Sequence, residues 1–225
     1  MKRWELLGEA RTPEGETLTL MRQDREFVIL ANGKPLMSSR MHGSEEALAS
    51  FALGRLTATD APRVLVGGLG MGFTLAAALA LLPSSATVIV AELIAAVVEW
   101  NRGPLGELAA HPLTDRRVQV HHGDVLDRLR SDTTGFDAVL LDIDNGPAAF
   151  TTSRNALLYA DTGLAIIRAA LKRDAVVAVW SAWDDRKFEQ RLRYSRFTVQ
   201  VEHVRGRLRK GGPHHTIFLG YKEAA

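Results

Sequence analysis

Arg63-Val64-Leu65-Val66-Gly67-Gly68-Leu69-Gly70-Met71-Gly72-Phe73-Thr74-Leu75 leads from a short apolar strand, through a glycine-rich turn, straight into helix-forming residues. Glycines at such a turn let backbone approach a ligand closely, and the first turn of the following helix offers N–H donors with no partner inside the helix. The next strand, Thr87–Ala91, ends at Glu92, 20 residues past Gly72. An acid at that strand end can accept hydrogen bonds from ribose hydroxyls. Loop, context and acid together predict a nucleoside held over the ends of the first two parallel strands. The plainer reading, glycines needed only for a tight turn and close helix packing, uses the loop but not the acid.

Outward from this stretch the chain alternates. Strands are predicted at Arg63–Val66, Thr87–Ala91, Val118–His121, Ala138–Asp142 and Ala175–Trp180, with helices at Gly72–Leu82, Ala95–Asn101, Val125–Leu129, Leu164–Leu171 and Arg186–Tyr194. Strands alternating with helices imply a parallel sheet covered on both faces. Two closing strands, Phe197–His203 and Thr216–Tyr221, flank Arg-Gly-Arg-Leu-Arg-Lys-Gly-Gly-Pro and favour a hairpin. Upstream, the runs Thr17–Met21 and Glu26–Leu30, split by Pro13-Glu14-Gly15 and Asn32-Gly33, read as a small antiparallel β unit. A helix with Ser44 where an N-cap would sit follows through Leu56, and Thr57–Pro62 reads as a linker. The expected class is α/β, a doubly wound and mostly parallel seven-stranded sheet, with an N-terminal β unit over 1–43 and the nucleoside-binding domain over 44–225.

The 225 residues, 46% of them hydrophobic, suffice for a large buried core, and the net charge of +2 does not by itself imply a nucleic-acid partner. With no cysteine, a disulfide framework, a thiolate metal site and a cysteine nucleophile are excluded. No signal-peptide pattern and no membrane-spanning run are present, so a cytoplasmic location is expected. Gly-x-Ser-x-Gly and a Walker lysine are missing, which removes the corresponding hydrolase and nucleotide triphosphatase readings. Adjacent histidines, His121-His122 and His214-His215, point to opposite faces of a strand, so no metal is expected.

The glycine spacing separates two ligand classes. Dinucleotide binders place a third glycine where this chain has Phe73. Gly68-x-Gly70-x-Gly72 instead resembles the first motif of S-adenosylmethionine-dependent methyltransferases, whose ligand has no pyrophosphate, and five parallel strands followed by a hairpin match that Rossmann-like fold. The resemblance implies that Gly68, Gly70, Gly72 and Glu92 hold the nucleoside, with Asp124 on the adenine amino group and Val125 beside the ring. Asp124 also reads as an N-cap for the helix it precedes. Asp142, at the end of a strand next to the topological switch point, should face the ligand's reacting end. A capping or turn carboxylate ordering Asp-Asn-Gly-Pro is the alternative.

Phe136-Asp137-x-x-x-x-Asp142 followed closely by Gly146-Pro147 joins the N-terminal β unit, Gly67–Gly72, Glu92 and Gly123-Asp124 in a resemblance to the spermidine synthase family over most of residues 1–180. Asn155–Gly163, Ala178–Ser181 and Lys210–Ile217 resemble a bacterial spermidine synthase-like branch of it. That resemblance implies an aminopropyltransferase: a homodimer using decarboxylated S-adenosylmethionine, releasing methylthioadenosine, and acting on a polyamine or other small acceptor, with Asp142 at the general-base position. The chain departs from the family at several positions. The second acid, three residues after the first, is Asn145, and an additional acid stands at Asp144; the acid inside the glycine loop is missing; for the family's N-terminal Asp-Glu and Tyr-His-Glu only the acids Glu45 or Glu46 could stand in, and no matching tyrosine occurs.

Asp144, Asn145, Glu45, Tyr159 and Trp183 are therefore the expected acceptor-side residues, with Trp183, beside Asp184 and Asp185, a better pocket candidate than Trp180, which reads as core. Because a pocket for a dication should be rich in acids, methyl transfer from S-adenosylmethionine to an anionic or RNA substrate and a non-catalytic nucleoside sensor or interaction protein stay open. Arg205, Arg207, Arg209, Lys210, His214 and His215 form a basic hairpin that could bind phosphate or carboxylate, or be solvated surface.

Overall fold

A computed structural model of the chain describes residues 3–56, 59–143, 146–147, 153–207 and 212–223, with the side chains of 153–155 left aside. Four strands, β1 (Glu5–Arg11), β2 (Thr17–Gln23), β3 (Glu26–Ala31) and β4 (Lys34–Ser38), form an antiparallel meander. The two-residue turn Asn32-Gly33 between β3 and β4 has φ 49° and 76°, the left-handed conformations that such a hairpin requires, and the longer β1–β2 turn uses Gly15 at φ 87°. Helix α1 (Gly43–Leu53) then leads into the second sheet.

That sheet comprises β5 (Arg63–Gly67), β6 (Thr87–Glu92), β7 (Val118–His122), β8 (Phe136–Leu141), β9 (Leu171–Ser181), β10 (Thr198–Arg205) and β11 (His214–Lys222), in the spatial order β10-β11-β9-β8-β5-β6-β7. Pairing is parallel from β7 through β9, and β11 is antiparallel to both β9 and β10. The chain steps outward from β5 to β6 and β7, then returns to place β8 on the other side of β5. The switch point lies between β5 and β8, where an open α/β sheet leaves a crevice.

Both faces of the central strands are buried, and alternate residues feed two cores. Val64, Val66, Val88, Val90, Leu140 and Ala178 face one core with α1, α2 (Phe73–Leu81), α3 (Ala95–Arg102) and the N-terminal sheet. Leu65, Ile89, Val139, Leu141, Val177 and Val179 face the other with α4 (Val125–Arg130), α5 (Ser153–Leu158), α6 (Asp161–Ala170) and α7 (Arg186–Tyr194). At about 25 cal/mol per Å2 of apolar surface removed from water, these two layers supply the main stabilising term. At the base of the sheet, Asp137 accepts from Arg63 N–H at 2.8 Å and Lys172 Nζ at 2.7 Å, linking β8 to both neighbours.

The structure differs locally from the sequence reading. Helix α1 starts at Gly43 and has no side-chain cap; Ser44 is fully buried, and its hydroxyl is used elsewhere. Two 3-10 turns, Gly106–Ala109 and Pro112–Thr114, occupy the connection to β7. β9 begins at Leu171 rather than Ala175, and α6 ends before it. Among the described residues no helix is long and apolar enough to cross a membrane.

Candidate active site

A cavity of about 340 Å3 opens at the carboxyl ends of β5, β6 and β8, beneath the N-terminal sheet. The glycine loop forms one wall. Gly68 has φ 86°, and a Cβ there would lie 2.2 Å from the Asp142 carbonyl oxygen, so only glycine lets the loop cross the end of β8. Asn101 Nδ2 donates to Gly70 O at 2.8 Å and to Val97 O at 2.9 Å, fixing the loop to α3. Gly68 and Gly70 line the cavity. Gly72 does not appear on its lining among the described residues: a Cβ there would meet Asn101 Oδ1 at 2.9 Å, so this glycine serves the packing of the α2 start.

Glu92 is nearly buried at the end of β6, where its carboxylate accepts from Leu69 N–H at 2.9 Å and Ile94 N–H at 2.8 Å. These bonds set its orientation towards the cavity that it lines with Leu93 and Ile94. Asp124 caps α4, its Oδ1 accepting from Leu126 N–H at 2.7 Å, and the residue also lines the cavity beside Gly123 and Val125.

Asp142 lies just beyond β8, and its Oδ2 accepts from Thr74 Oγ1 at 2.6 Å. Burial pushes its carboxyl up to about 6, while the threonine hydrogen bond acts in the opposite direction. From the first turn of α1, Glu45 lines the same cavity, and burial, followed by the charge of Asp142, pushes it up to about 8. Two acids that resist ionising together and face one cavity form a site able to accept or hold a proton near neutral pH.

Gly146, at φ 87°, lies so close to β9 that a Cβ would be 2.6 Å from Ser181 Cα, which accounts for the glycine after the strand-four acid. Asp144 and Asn145 lie outside the described residues. Tyr159 is not on the cavity wall; it is 2% exposed and packs edge-on to Phe188, while its neighbour Leu158 reaches the cavity. Trp183 is 55% exposed because the Ser181 hydroxyl donates to Trp183 O and accepts from Trp183 N–H, turning the segment outward. Trp180 lines the cavity in its place, while still packing into the core.

Several residues of the site escaped the sequence reading. Glu14 and Glu16 reach the cavity from the β1–β2 turn, whose Pro13-Glu14-Gly15 signal spoke only of a bend. Thr74 follows the glycine loop by two positions, and its tie to Asp142 has no sequence signature. The basic hairpin is split: Arg205, Arg207 and His214 are exposed, His215 turns inward to the cavity, and Arg209 and Lys210 lie outside the described residues. No group of three or more metal-ligating side chains occurs among the described residues.

The sequence matches no protein-family model and no curated protein. Solved structures do match. A spermidine synthase in complex with the transition-state analogue AdoDATO superposes over 98% of this chain and 74% of its own, with a TM-score of 0.77 at 18% identity. The fold is that of spermidine synthase. The spermidine synthase from Thermotoga maritima matches as well, over 98% and 73% of the two chains, with a TM-score of 0.75 at 18% identity. The spermidine synthase fold thus accounts for both the four-stranded N-terminal sheet and the seven-stranded sheet. In this chain its crevice brings together Gly68 and Gly70 from the β5–α2 loop, Glu92 from the end of β6, and Asp124 and Asp142 from the segments that follow β7 and β8.

Proposed function

We propose that this chain is a transferase that moves an aminopropyl group from decarboxylated S-adenosylmethionine to a small amine. One observation carries the reading: the cavity joining the glycine loop to Asp142 is lined by six carboxyl side chains, Glu14, Glu16, Glu45, Glu92, Asp124 and Asp142, and by no lysine or arginine among the described residues. Intact S-adenosylmethionine brings a carboxylate that would need a cationic partner here. A decarboxylated nucleoside and an ammonium-bearing acceptor add only positive charge to an acidic cavity. The likeness in fold to spermidine synthases, one of them bound to AdoDATO, supports the same reading.

The residues present suit the nucleoside. Glu92, its carboxylate held by two backbone N–H groups in the cavity wall, suits the ribose hydroxyls, Gly68 and Gly70 leave room that a Cβ would fill, and Ile94, Val97 and Val125 offer apolar surface beside Asp124 for a base. When bound, decarboxylated S-adenosylmethionine supplies an electrophilic carbon next to a sulfonium. Asp142 accepts a proton from the acceptor's ammonium, freeing the nitrogen lone pair; nitrogen bonds to that carbon as the carbon–sulfur bond breaks, its electron pair passing to sulfur. Thr74 holds the Asp142 carboxylate in line, and Glu45 supplies a second acid for the amine. The proposal includes a homodimer, with β1 and β4 as the edge strands of the N-terminal sheet.

Calorimetric titration with S-adenosylmethionine, its decarboxylated form and methylthioadenosine, each with and without putrescine, tests it. Preference for the decarboxylated form, with putrescine binding to the methylthioadenosine complex, is expected. In Asp142→Asn, turnover should fall by roughly 10^2 to 10^4, the range typical of a lost proton acceptor, with nucleoside affinity held within a few-fold. Preference for intact S-adenosylmethionine and indifference to putrescine would replace aminopropyl by methyl transfer.

A further inference from the structure

The β10–β11 hairpin, which the nucleoside site does not use, is bonded to the acceptor end of the cavity. Gly43 N–H donates to Gly206 O at 3.0 Å, clasping the start of α1. One residue on, His215 Nδ1 lies 2.8 Å from Ser44 Oγ, and Ser44 Oγ lies 2.7 Å from Glu45 Oε2. Ser44 is fully buried and Glu45 is 7% exposed. The His215 ring stands edge-on to Trp180 with centroids 4.7 Å apart, and Glu45, Trp180 and His215 all line the cavity.

A serine hydroxyl has one proton, so this file of three groups has two hydrogen-bonding directions. With Glu45 ionised, Ser44 donates to the carboxylate and His215 donates its Nδ1–H to Ser44. With Glu45 protonated, the carboxyl O–H donates to Ser44, whose own proton points to a bare Nδ1, and the imidazole carries its hydrogen on Nε2. We propose that Ser44 and His215 are positioning residues that orient the Glu45 carboxyl and carry its proton out to the hairpin. The proposal rests on the transferase reading above, in which the acceptor's proton enters the acid pair. One proton passes from Glu45 to Ser44, the Ser44 proton passes to Nδ1, and the imidazole releases its Nε2 proton to water; no electron changes hands.

The surroundings suit this role. Burial lifts Glu45 to about 8 and lowers His215, so it favours the uncharged form of both groups, and ionising Glu45 reverses the bonds of the file. Asp142 beyond β8, Glu46 on α1 and His214 on β11 are the titratable groups whose charges act on the pair. From the packed elements, His42 stands just before α1, 2.7 Å from Glu46, β10 adds His203 and Arg205, and β9 presents the uncharged Trp180 and Ser181.

Long-range proton–nitrogen spectra of the histidine side chains, with His215 assigned by its loss in His215→Gln, test the file without any substrate. As pH rises through the ionisation of Glu45, His215 should change from the Nε2–H to the Nδ1–H tautomer, and both Ser44→Ala and Glu45→Gln should abolish that change. A single tautomer from pH 6.5 to 9.5 in the unmodified protein, or an undiminished change in Ser44→Ala, would overturn the proposal. In turnover of decarboxylated S-adenosylmethionine and putrescine, Ser44→Ala and His215→Gln should lower kcat by roughly tenfold or more, shift its pH profile, and leave the nucleoside KM within about twofold; Ser44→Thr should restore the profile. A catalytic pH profile unmoved in both variants would also sink it. Failure of the unmodified protein to turn over these substrates counts against the transferase reading, while the tautomer measurement still decides the file.

Discussion

Glu45 is a residue whose burial works against the fold. A carboxyl that ionises near 8 in the folded chain and near 4.5 otherwise binds its proton more tightly when folded, so folding stability falls as pH rises between those values and levels off above the higher one. Asp142 acts with the same sign over the narrower window from 3.8 to about 6. Replacing Glu45 by glutamine keeps the shape and an acceptor for Ser44 while removing the ionisation. Glu45→Gln should therefore melt close to the unmodified protein at pH 5 and above it at pH 8.5, by several degrees if each kcal/mol is worth about 2–4 °C in a chain of this size. Parallel melting curves across that range would mean that Glu45 ionises freely and that the acid pair does not exist. A residue that costs stability where it sits and gains from a bound cation is the pattern expected of a functional acid.

Among the elements, the segment from β5 to α2 carries the sharpest constraint, because two features usually confounded are separable here. Gly68 and Gly15 have nearly the same φ, 86° and 87°, but a Cβ at Gly68 would meet backbone at 2.2 Å, whereas one at Gly15 would meet nothing within 4 Å. Gly15→Ala should cost only the backbone strain, about 1–2 kcal/mol, while Gly68→Ala should cost more and also weaken nucleoside binding at least tenfold, as followed by denaturant melts and calorimetry. Equal losses would show that the approach of the loop to Asp142 is not constraining.

This segment was legible in the sequence because turn, strand and helix signals agree over a dozen residues. Trp180 and Trp183 illustrate what was not legible. Both faces of β9 are buried, so alternation cannot tell which side a side chain takes, and the outward turn at Trp183 depends on a Ser181 hydroxyl that no pattern announces. Glu14 and Glu16 were missed, and His215 was read only as part of a basic hairpin, for a related reason: they reach the cavity from a turn and a strand far from the nucleoside motifs, through tertiary packing alone.

Taken as one molecule, the chain has a cavity roof and floor that share a core. Leu18, Leu20, Phe27 and Ile29 of the N-terminal sheet belong to the same buried cluster as Leu48, Val64, Leu75 and Val90, so roof and floor should unfold in a single transition. One tight joint is Gly8 on β1, where a Cβ would lie 2.4 Å from Trp100 Nε1 on α3. Gly8→Val would push β1 away from α3, and with it the sheet that supplies Leu18, Ile29 and Met37 to the cavity. Its melting temperature and its affinity for methylthioadenosine should fall together, the transition staying single, while Gly33→Ala, at an open turn with φ 76°, should lower the melting temperature slightly and leave affinity unchanged. The indole of Trp100 makes the displacement visible as a change in fluorescence relative to the same Gly33 variant. A Gly8→Val protein that melts several degrees lower yet binds the nucleoside as before would show that the roof stabilises the fold without shaping the site. That outcome would confine recognition to the glycine loop, Glu92 and Asp124.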